Sequence, residues 1–183
     1  GNLYAFDRSG RISWNVVLAG VPTQVSIGRD GGLFVGTEYG TLVAIEETGR
    51  VAWDYLESSS FLAPVCVEDG VIGATKSGVV VKLNTNGDIA WRFDTAQPIA
   101  RIVAVDMRET VLLETTDAKL VRVDAGGLLG EPSALIEKSS GAVLSNDGIV
   151  VLGNSNWRFA AFYTGFLPAP AWSRVGYDAT HIS

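Results

Sequence analysis

The sequence has 183 residues, of which 47% are hydrophobic and 19% are charged, a composition that favours a folded globular chain over a disordered one. Its formal net charge is −6 and it contains no cluster of lysine and arginine, so nucleic acid is not an expected partner. The single cysteine, Cys66, excludes an intramolecular disulfide, and no apolar run approaches the roughly 20 residues needed to span a bilayer.

The chain opens on a motif that returns later. Residues 3–14 read L-Y-A-F-D-R-S-G-R-I-S-W, and residues 42–53 read L-V-A-I-E-E-T-G-R-V-A-W. Both copies hold an alanine, an acidic residue, a glycine and a tryptophan at the same offsets. Two apolar stretches around a polar turn predict a β-hairpin, in which the glycine supplies the positive φ that other residues adopt reluctantly.

The next unit, residues 63–94, predicts four strands. It reads P-V-C-V, E-D-G, V-I-G-A-T, K-S-G, V-V-V-K-L, N-T-N-G and D-I-A-W-R-F, which is four apolar runs separated by three turns. Near-continuous apolar runs such as V-V-V-K-L indicate strands that are buried on both faces. Cys66 lies in the first run and is expected to be a small buried hydrophobe.

The turn from an acid or amide to a glycine sets the period of the chain. The four copies of this turn begin at Asp7, Glu46, Asn84 and Asp124 and end at Gly10, Gly49, Gly87 and Gly127. The first residues of successive copies are 39, 38 and 40 residues apart. Trp14, Trp53 and Trp91 each follow the glycine by four residues, whereas the fourth copy has Glu131 there. A degenerate fifth copy spans residues 160–165, and its nearest tryptophan, Trp172, is displaced.

A period near 39 residues with strand patterning predicts an all-β fold, a β-propeller of four-stranded antiparallel blades in about four and a half repeats. The predicted units are a half blade at 1–20, blades at about 21–57, 58–95, 96–136 and 137–175, and a tail at 176–183. The half blade supplies only third and fourth strands. We therefore expect a fragment of a larger propeller, prone to self-association through an unpaired strand edge, or a closed five-bladed ring.

The repeated small and large residues are expected to hold neighbouring blades together. Ala5 and Ala44 leave space on the third strand, against which a neighbouring blade can press a large ring. The predicted docking residues are Ala5, Gly10, Trp14, Ala44, Gly49, Trp53, Gly87 and Trp91. Lys82 and Arg122 replace the alanine in later copies, so docking must differ there.

These residues carry a resemblance to a known family. Residues 5–14, 44–53 and 82–91 are similar to the tryptophan-docking repeat of the pyrroloquinoline-quinone-like (quinoprotein-type) β-propellers. That superfamily includes quinoprotein alcohol dehydrogenases and a barrel-assembly lipoprotein of the outer membrane. The resemblance implies the propeller fold and a periplasmic or extracellular location. It does not separate catalytic from non-catalytic members, because these residues join blades in both.

The catalytic motifs of several enzyme classes are absent from the sequence. By the resemblance, a quinoprotein dehydrogenase would hold quinone and calcium on the propeller axis, often beside two adjacent cysteines, but Cys66 is alone. The motifs G-x-S-x-G, H-E-x-x-H and D-x-[DN]-x-[DN]-G do not occur, and His181 is the single histidine. We therefore predict no enzyme activity, cofactor or metal ligand; part of a pyrroloquinoline-quinone-dependent dehydrogenase is the alternative.

The predicted binding surface is the face that carries the connections between blades and the turns between second and third strands. Loops on a rigid scaffold often carry function, and aromatic residues and arginine are enriched in binding hot spots. The candidate residues are Tyr39, Ser59, Phe61, Gln97, Asn156, Trp157 and Arg158. We expect a non-catalytic scaffold for protein binding or envelope assembly, with a sugar- or peptide-binding module as a further alternative.

Overall fold

The computed structural model describes residues 1–128, 133–134, 138–145 and 147–166, and all regular structure in them is β-strand. The strands form five antiparallel sheets that follow one another along the chain. The first sheet contains β1 (Asn2–Phe6) and β2 (Ile12–Val17). The second contains β3 (Pro22–Ile27), β4 (Leu33–Thr37), β5 (Thr41–Ile45) and β6 (Val51–Leu56).

The third sheet contains β7 (Val65–Val67), β8 (Gly70–Ala74), β9 (Val79–Asn84) and β10 (Ile89–Asp94). The fourth contains β11 (Ile99–Val105), β12 (Val111–Thr115) and β13 (Lys119–Asp124), with the short strands β14 (Gly127–Leu128) and β15 (Ser133–Ala134) both paired to β13. The fifth contains β16 (Gly141–Leu144), β17 (Ile149–Gly153) and β18 (Phe159–Tyr163). Each sheet is a meander in chain order, which confirms the predicted all-β fold of four-stranded antiparallel blades.

The hairpins between third and fourth strands close as the sequence predicts. Asp7 Oδ1 accepts hydrogen bonds from the backbone N–H groups of Ser9 and Arg11 at 2.8 and 3.0 Å, and Asn84 makes the same pair of contacts in its own turn. Glu46 is too long for this geometry, and its carboxylate instead binds the Arg50 guanidinium. The turn is therefore kept in all three copies, but by two different side-chain arrangements.

The core lies between the sheets and is divided into four clusters, one at each junction of neighbouring blades. Successive residues of one strand serve opposite junctions: Val43 packs towards the first blade, whereas Leu42 packs towards the third. This division explains the near-continuous apolar runs in the sequence. Cys66 is buried as predicted, and burial, aided by the charge of Asp30, raises the pKa of its thiol to about 12.

The two outermost faces of the described sheets are open to solvent. Tyr4 and Phe6 on the first sheet are 47% and 63% exposed, and Phe159 and Tyr163 on the fifth are 76% and 79% exposed. Residues equivalent to Tyr4 and Phe6 in the second blade, Val43 and Ile45, are buried against the preceding blade. The described sheets therefore stack as successive propeller blades without closing a ring.

An ion cluster around the buried Lys82 joins the third and fourth blades, where Lys82 replaces the small alanine. The Lys82 ammonium is 2.8 Å from Asp69 and 2.6 Å from Glu109, and its side chain is only 7% exposed. Burial alone would lower the pKa of Lys82, but the hydrogen bonds to the two carboxylates outweigh it and raise that pKa. The hydrogen bond from Lys82 lowers the pKa of Asp69. Polar pairing thus accompanies the packing of Trp91 and Phe93 at this junction.

Removing the Lys82 charge should weaken this junction in a pH-dependent way. We expect Lys82→Met to lower the free energy of unfolding by about 1–2 kcal/mol at pH 7, because a nearly buried charge-assisted hydrogen bond is lost. The pKa of Asp69 is lowered in the folded chain, so its contribution is present above its ordinary pKa and disappears as the pH falls.

Urea unfolding at pH 7 and at pH 3 measures this effect, and the cost of Lys82→Met should shrink at pH 3. Lys119→Met is the matched control, because Lys119 pairs with Asp117 in an exposed ion pair and should contribute less than about 0.5 kcal/mol. An equal loss in both variants would contradict the assignment.

Candidate partner-binding face

One face of the propeller, called here the connection face, carries the turns between second and third strands and the connections between blades. The turns are residues 37–41, 75–79, 115–119 and 154–158, and the connections include residues 57–64 and 95–98. Backbone hydrogen bonds tie the two sets together. Phe61 N–H donates to the Thr37 carbonyl at 3.0 Å, and Ile99 N–H donates to the Lys76 carbonyl at 3.1 Å. The connection face is therefore a linked surface rather than a set of independent loops.

The four turns of the connection face share one design. The first side chain accepts a hydrogen bond from the backbone N–H four residues later. Val79 N–H donates to Thr75 Oγ1 at 3.1 Å, and Arg158 N–H donates to Asn154 Oδ1 at 3.0 Å. The residue three positions after this accepting side chain has a positive φ in every copy: Gly40 (84°), Gly78 (121°), Ala118 (61°) and Trp157 (61°).

Trp157 places a large aromatic side chain at the positive-φ position of this design. A tryptophan with positive φ carries backbone strain of roughly 1–3 kcal/mol that glycine at the same position avoids. Its side chain is also 89% exposed, although tryptophan is usually well buried. The positive φ is the one that the turn has in every copy, whereas the exposed ring contributes nothing to the core.

Tyr39 is the second large aromatic side chain on this face and is 75% exposed. One side of its ring lies against Gly20, where an added Cβ would come within 2.9 Å of Tyr39 Cγ. One side of the ring is therefore packed against the backbone at Gly20, while most of its surface stays in solvent.

The remaining predicted binding residues differ in their availability. Asn156 and Arg158 are exposed beside Trp157, whereas Ser59 and Gln97 are half-buried. Gln97 Oε1 is buried and has no hydrogen-bond partner among the described residues. Phe61 corrects the predicted set: its side chain is completely buried between the second and third blades, with its ring 6.4 Å from that of Tyr55, so it cannot contact a partner.

The docking tryptophans lie on the opposite face. The Trp14 indole N–H donates to the Glu47 carbonyl at 2.8 Å, and its ring covers Gly49 of the next blade. Trp53 repeats this arrangement with the Thr85 carbonyl at 2.9 Å and Gly87. Each ring therefore docks on the next hairpin turn.

The alanines have a different place from the predicted one. Ala5 and Ala44 pair in register with Trp14 and Trp53 of their own hairpins, so they are not the surface that receives a ring from a neighbouring blade. The glycine of the next turn receives it, because a Cβ at that position would overlap the ring.

The hairpin of the third blade does not dock its tryptophan on the glycine of the next turn. Gly127 is covered by Phe93 rather than by Trp91, which packs at the edge of the cluster between the third and fourth blades. Asp124 and Gly127 are strand partners in register, so this turn is tighter than the turn at Asn84, whose N–H donates to the Asp88 carbonyl across a longer loop.

Gly10 has a positive φ, but no atom lies within 4 Å of an added Cβ. Glu131, Trp172 and His181 lie outside the described residues.

A cavity of about 640 Å³ lies among the innermost strands of four blades. Its wall includes Thr23 and Gln24 from β3, Ala63, Lys76, Arg101 from β11 and Ala142 from β16. Strands from four blades around one space place it on the propeller axis, and it is called here the axial cavity. No sequence motif marks this cavity, because only the stacking of the blades brings its wall residues together.

Arg101 is held in the wall of the axial cavity by a buried carboxylate. Glu114 is 1% exposed, and its Oε2 lies 3.1 Å from Arg101 Nε, although the N–H does not point at that oxygen. Glu114 also accepts hydrogen bonds from the N–H and hydroxyl of Ser139, and Arg101 Nη2 donates to the Ser139 carbonyl at 2.5 Å. These contacts fix the guanidinium in place.

Two further properties concern the described residues alone. They contain no group of three or more His, Cys, Asp or Glu side chains that could hold a metal ion. They also contain no helix with the length and apolar character needed to cross a membrane.

The sequence model of one family matches residues 1–162, nearly the whole described chain. That family is described as outer membrane protein assembly factor BamB. None of the curated proteins matches the chain significantly.

Solved structures of β-propellers are similar to the chain. BamB from Moraxella catarrhalis has a TM-score of 0.72 and 23% identity over 90% of this chain and 56% of its own. The WD40 propeller domain of Doa1 has a TM-score of 0.71 and 10% identity, covering 85% of this chain and 55% of its own. BBS1N in complex with ARL6DN has a TM-score of 0.69 and 14% identity, covering 88% and 53%. The chain thus spans about half the length of these propellers, and identities this low show the fold alone.

Proposed function

Because the chain belongs to the family of the outer membrane protein assembly factor BamB, we propose that it is a non-catalytic propeller scaffold for envelope assembly, which binds a protein through the connection face. The observation that carries the proposal is Trp157, which is 89% exposed at a positive φ. Evolution tolerates such strain where a side chain is needed for contact, and tryptophan is the residue type most enriched in protein-binding hot spots.

The rest of the connection face supports a protein partner. Tyr39 offers a second exposed aromatic ring, and Asn156 and Arg158 add polar groups beside Trp157. Aromatic anchors surrounded by polar side chains are typical of protein interfaces. The structure of BBS1N in complex with ARL6DN, which has a similar fold, contains a complex of two proteins. The proposed location is periplasmic or extracellular, as the family description indicates for an outer membrane assembly factor.

Site-specific photo-crosslinking in the native cells tests the proposal. A photoreactive amino acid is placed at position 39 or 157, and the crosslinked products are identified by mass spectrometry. The controls are positions 9 and 86, which lie in exposed turns on the opposite face. We expect the same envelope protein from positions 39 and 157 and not from the controls. Equal products from both faces, or none from the connection face, would contradict the proposal.

Trp157→Gly separates binding from folding. Glycine relieves the strain at φ 61°, but it also increases the freedom of the unfolded chain, so we expect the free energy of unfolding to change by less than about 1 kcal/mol. Loss of an exposed hot-spot tryptophan should nevertheless weaken partner binding by about 2 kcal/mol or more. Thermal melting and a quantitative binding assay with the crosslinked partner measure the two effects. A variant that binds normally would exclude Trp157 from the interface.

A further inference from the structure

We propose that the axial cavity receives a carboxylate-bearing segment of the protein partner, with Lys76 and Arg101 as its binding groups. That a protein partner supplies the carboxylate rests on the proposed function, whereas the preference for a carboxylate rests on the cavity itself. Its volume of about 640 Å³ lies within the range of roughly 300–1,000 Å³ that is usual for ligand sites.

The charge of the cavity wall is the first support. The chain has a net charge of −6, yet among the described residues that line the cavity the charged ones, Lys76 and Arg101, are both cationic. The buried Glu114 lies behind Arg101 and is already bound by it and by Ser139. An anion entering the cavity would therefore meet the Lys76 ammonium and the outer N–H groups of Arg101, whose charge Glu114 partly balances, and no free carboxylate among these side chains.

The state of the two cations is the second support. Lys76 is exposed, and within the described residues no carboxylate lies within ion-pair distance of its ammonium. Its backbone is fixed on both sides, since its N–H donates to Ser60 and its carbonyl accepts from Ile99. Arg101 Nη1 has no hydrogen-bond partner in the described part of the chain, while Nη2 is anchored on Ser139. The geometry thus presents one ammonium and one fixed guanidinium edge.

The position of Lys76 connects the cavity to the proposed binding face. Lys76 belongs to the turn at residues 75–79, one of the four turns of the connection face. A partner that contacts Tyr39 and Trp157 on this face can therefore extend an acidic segment into the axis. Glutamate or aspartate side chains are the carboxylates that such a segment supplies.

The test uses nuclear magnetic resonance titration of the full chain with a capped Ala-Glu-Ala-Glu peptide. The uncharged isostere Ala-Gln-Ala-Gln and free succinate are titrated in parallel. We expect saturable shifts at Lys76 and Arg101 with the acidic peptide and none with the glutamine peptide. Lys76→Gln should weaken binding on the order of tenfold, the effect of losing one charge-assisted hydrogen bond.

Lys119→Gln is the matched control, because Lys119 is a cation on the same face that already pairs with Asp117 and does not line the cavity. Its affinity should stay within about twofold of the parent, since only remote, screened charge is lost. An equal loss in both variants, equal binding of the glutamine peptide, or succinate binding as tightly as the peptide would each overturn the proposal. Peptide binding without crosslinks from position 157 would support the cavity assignment and contradict only the proposed function.

Discussion

Gly49→Ala is expected to destabilise the chain by about 2–5 kcal/mol. The backbone at Gly49 has a φ of 87°, a conformation that costs an alanine roughly 1–2 kcal/mol. The new Cβ would also lie 2.6 Å from Trp14 Cγ, so the ring must leave its place on the turn. Overpacking of this kind costs roughly 1–3 kcal/mol more, and the displaced indole loses its hydrogen bond to Glu47. The result would show that the turn glycine is the docking surface between blades.

Gly10→Ala is the control that isolates the backbone contribution. Gly10 has nearly the same φ, 81°, in the equivalent turn, but nothing lies within 4 Å of an added Cβ. This variant should therefore lose only about 1–2 kcal/mol. Urea denaturation of both variants gives the difference directly. If the two variants lost equal stability, the contact between Trp14 and Gly49 would contribute nothing and the docking assignment would be wrong.

Local chemistry explains which parts of the fold could be read from the sequence. The turn at Asp7 to Gly10 needs a short hydrogen-bond acceptor and a residue with positive φ, and both requirements select recognisable residue types at a fixed spacing. Strands buried on both faces leave continuous apolar runs. The all-β fold, its period and the four-stranded blades were therefore predictable.

The docking geometry was only partly predictable. The sequence shows that Ala44, Gly49 and Trp53 recur together, but not which of them faces the neighbouring blade. Register pairs Trp53 with Ala44 inside one hairpin, and the ring then projects onto Gly87, a choice set by sheet packing. Phe61 was misassigned for a similar reason. A phenylalanine in a connection between blades can face solvent or be buried between two blades, and only the packing of the blades determines which occurs.

The axial cavity was not predictable because its wall is assembled from residues far apart in the chain. Lys76 stands in a turn and Arg101 in a strand, and each alone is an ordinary solvated cation. Both line one cavity because of how the sheets stack, which a single sequence does not encode in any local pattern. Sites on a propeller axis are therefore found from the structure, even where the fold itself is evident from the repeat.

Trp53→Ala is expected to lower the free energy of unfolding by about 3 kcal/mol, the lower end of the usual range because the ring is only half-buried. The ring contacts Gly87, lies 5.8 Å from the Phe34 ring in a tilted arrangement, and belongs to the cluster between the second and third blades. Trp53→Phe keeps much of this packing but loses the hydrogen bond to Thr85, so it should cost about 1 kcal/mol.

Trp157→Ala provides the matched control for the loss of a tryptophan side chain. Its ring is 89% exposed, so we expect a change below about 0.5 kcal/mol in the same urea denaturation. The expected loss of stability therefore decreases from Trp53→Ala to Trp53→Phe to Trp157→Ala. The first variant reports the loss of ring packing, the second the loss of the indole hydrogen bond, and the third the loss of an exposed ring. If Trp157→Ala were as destabilising as Trp53→Ala, Trp157 would be a structural residue, and the connection face would lose the observation on which its proposed binding role depends.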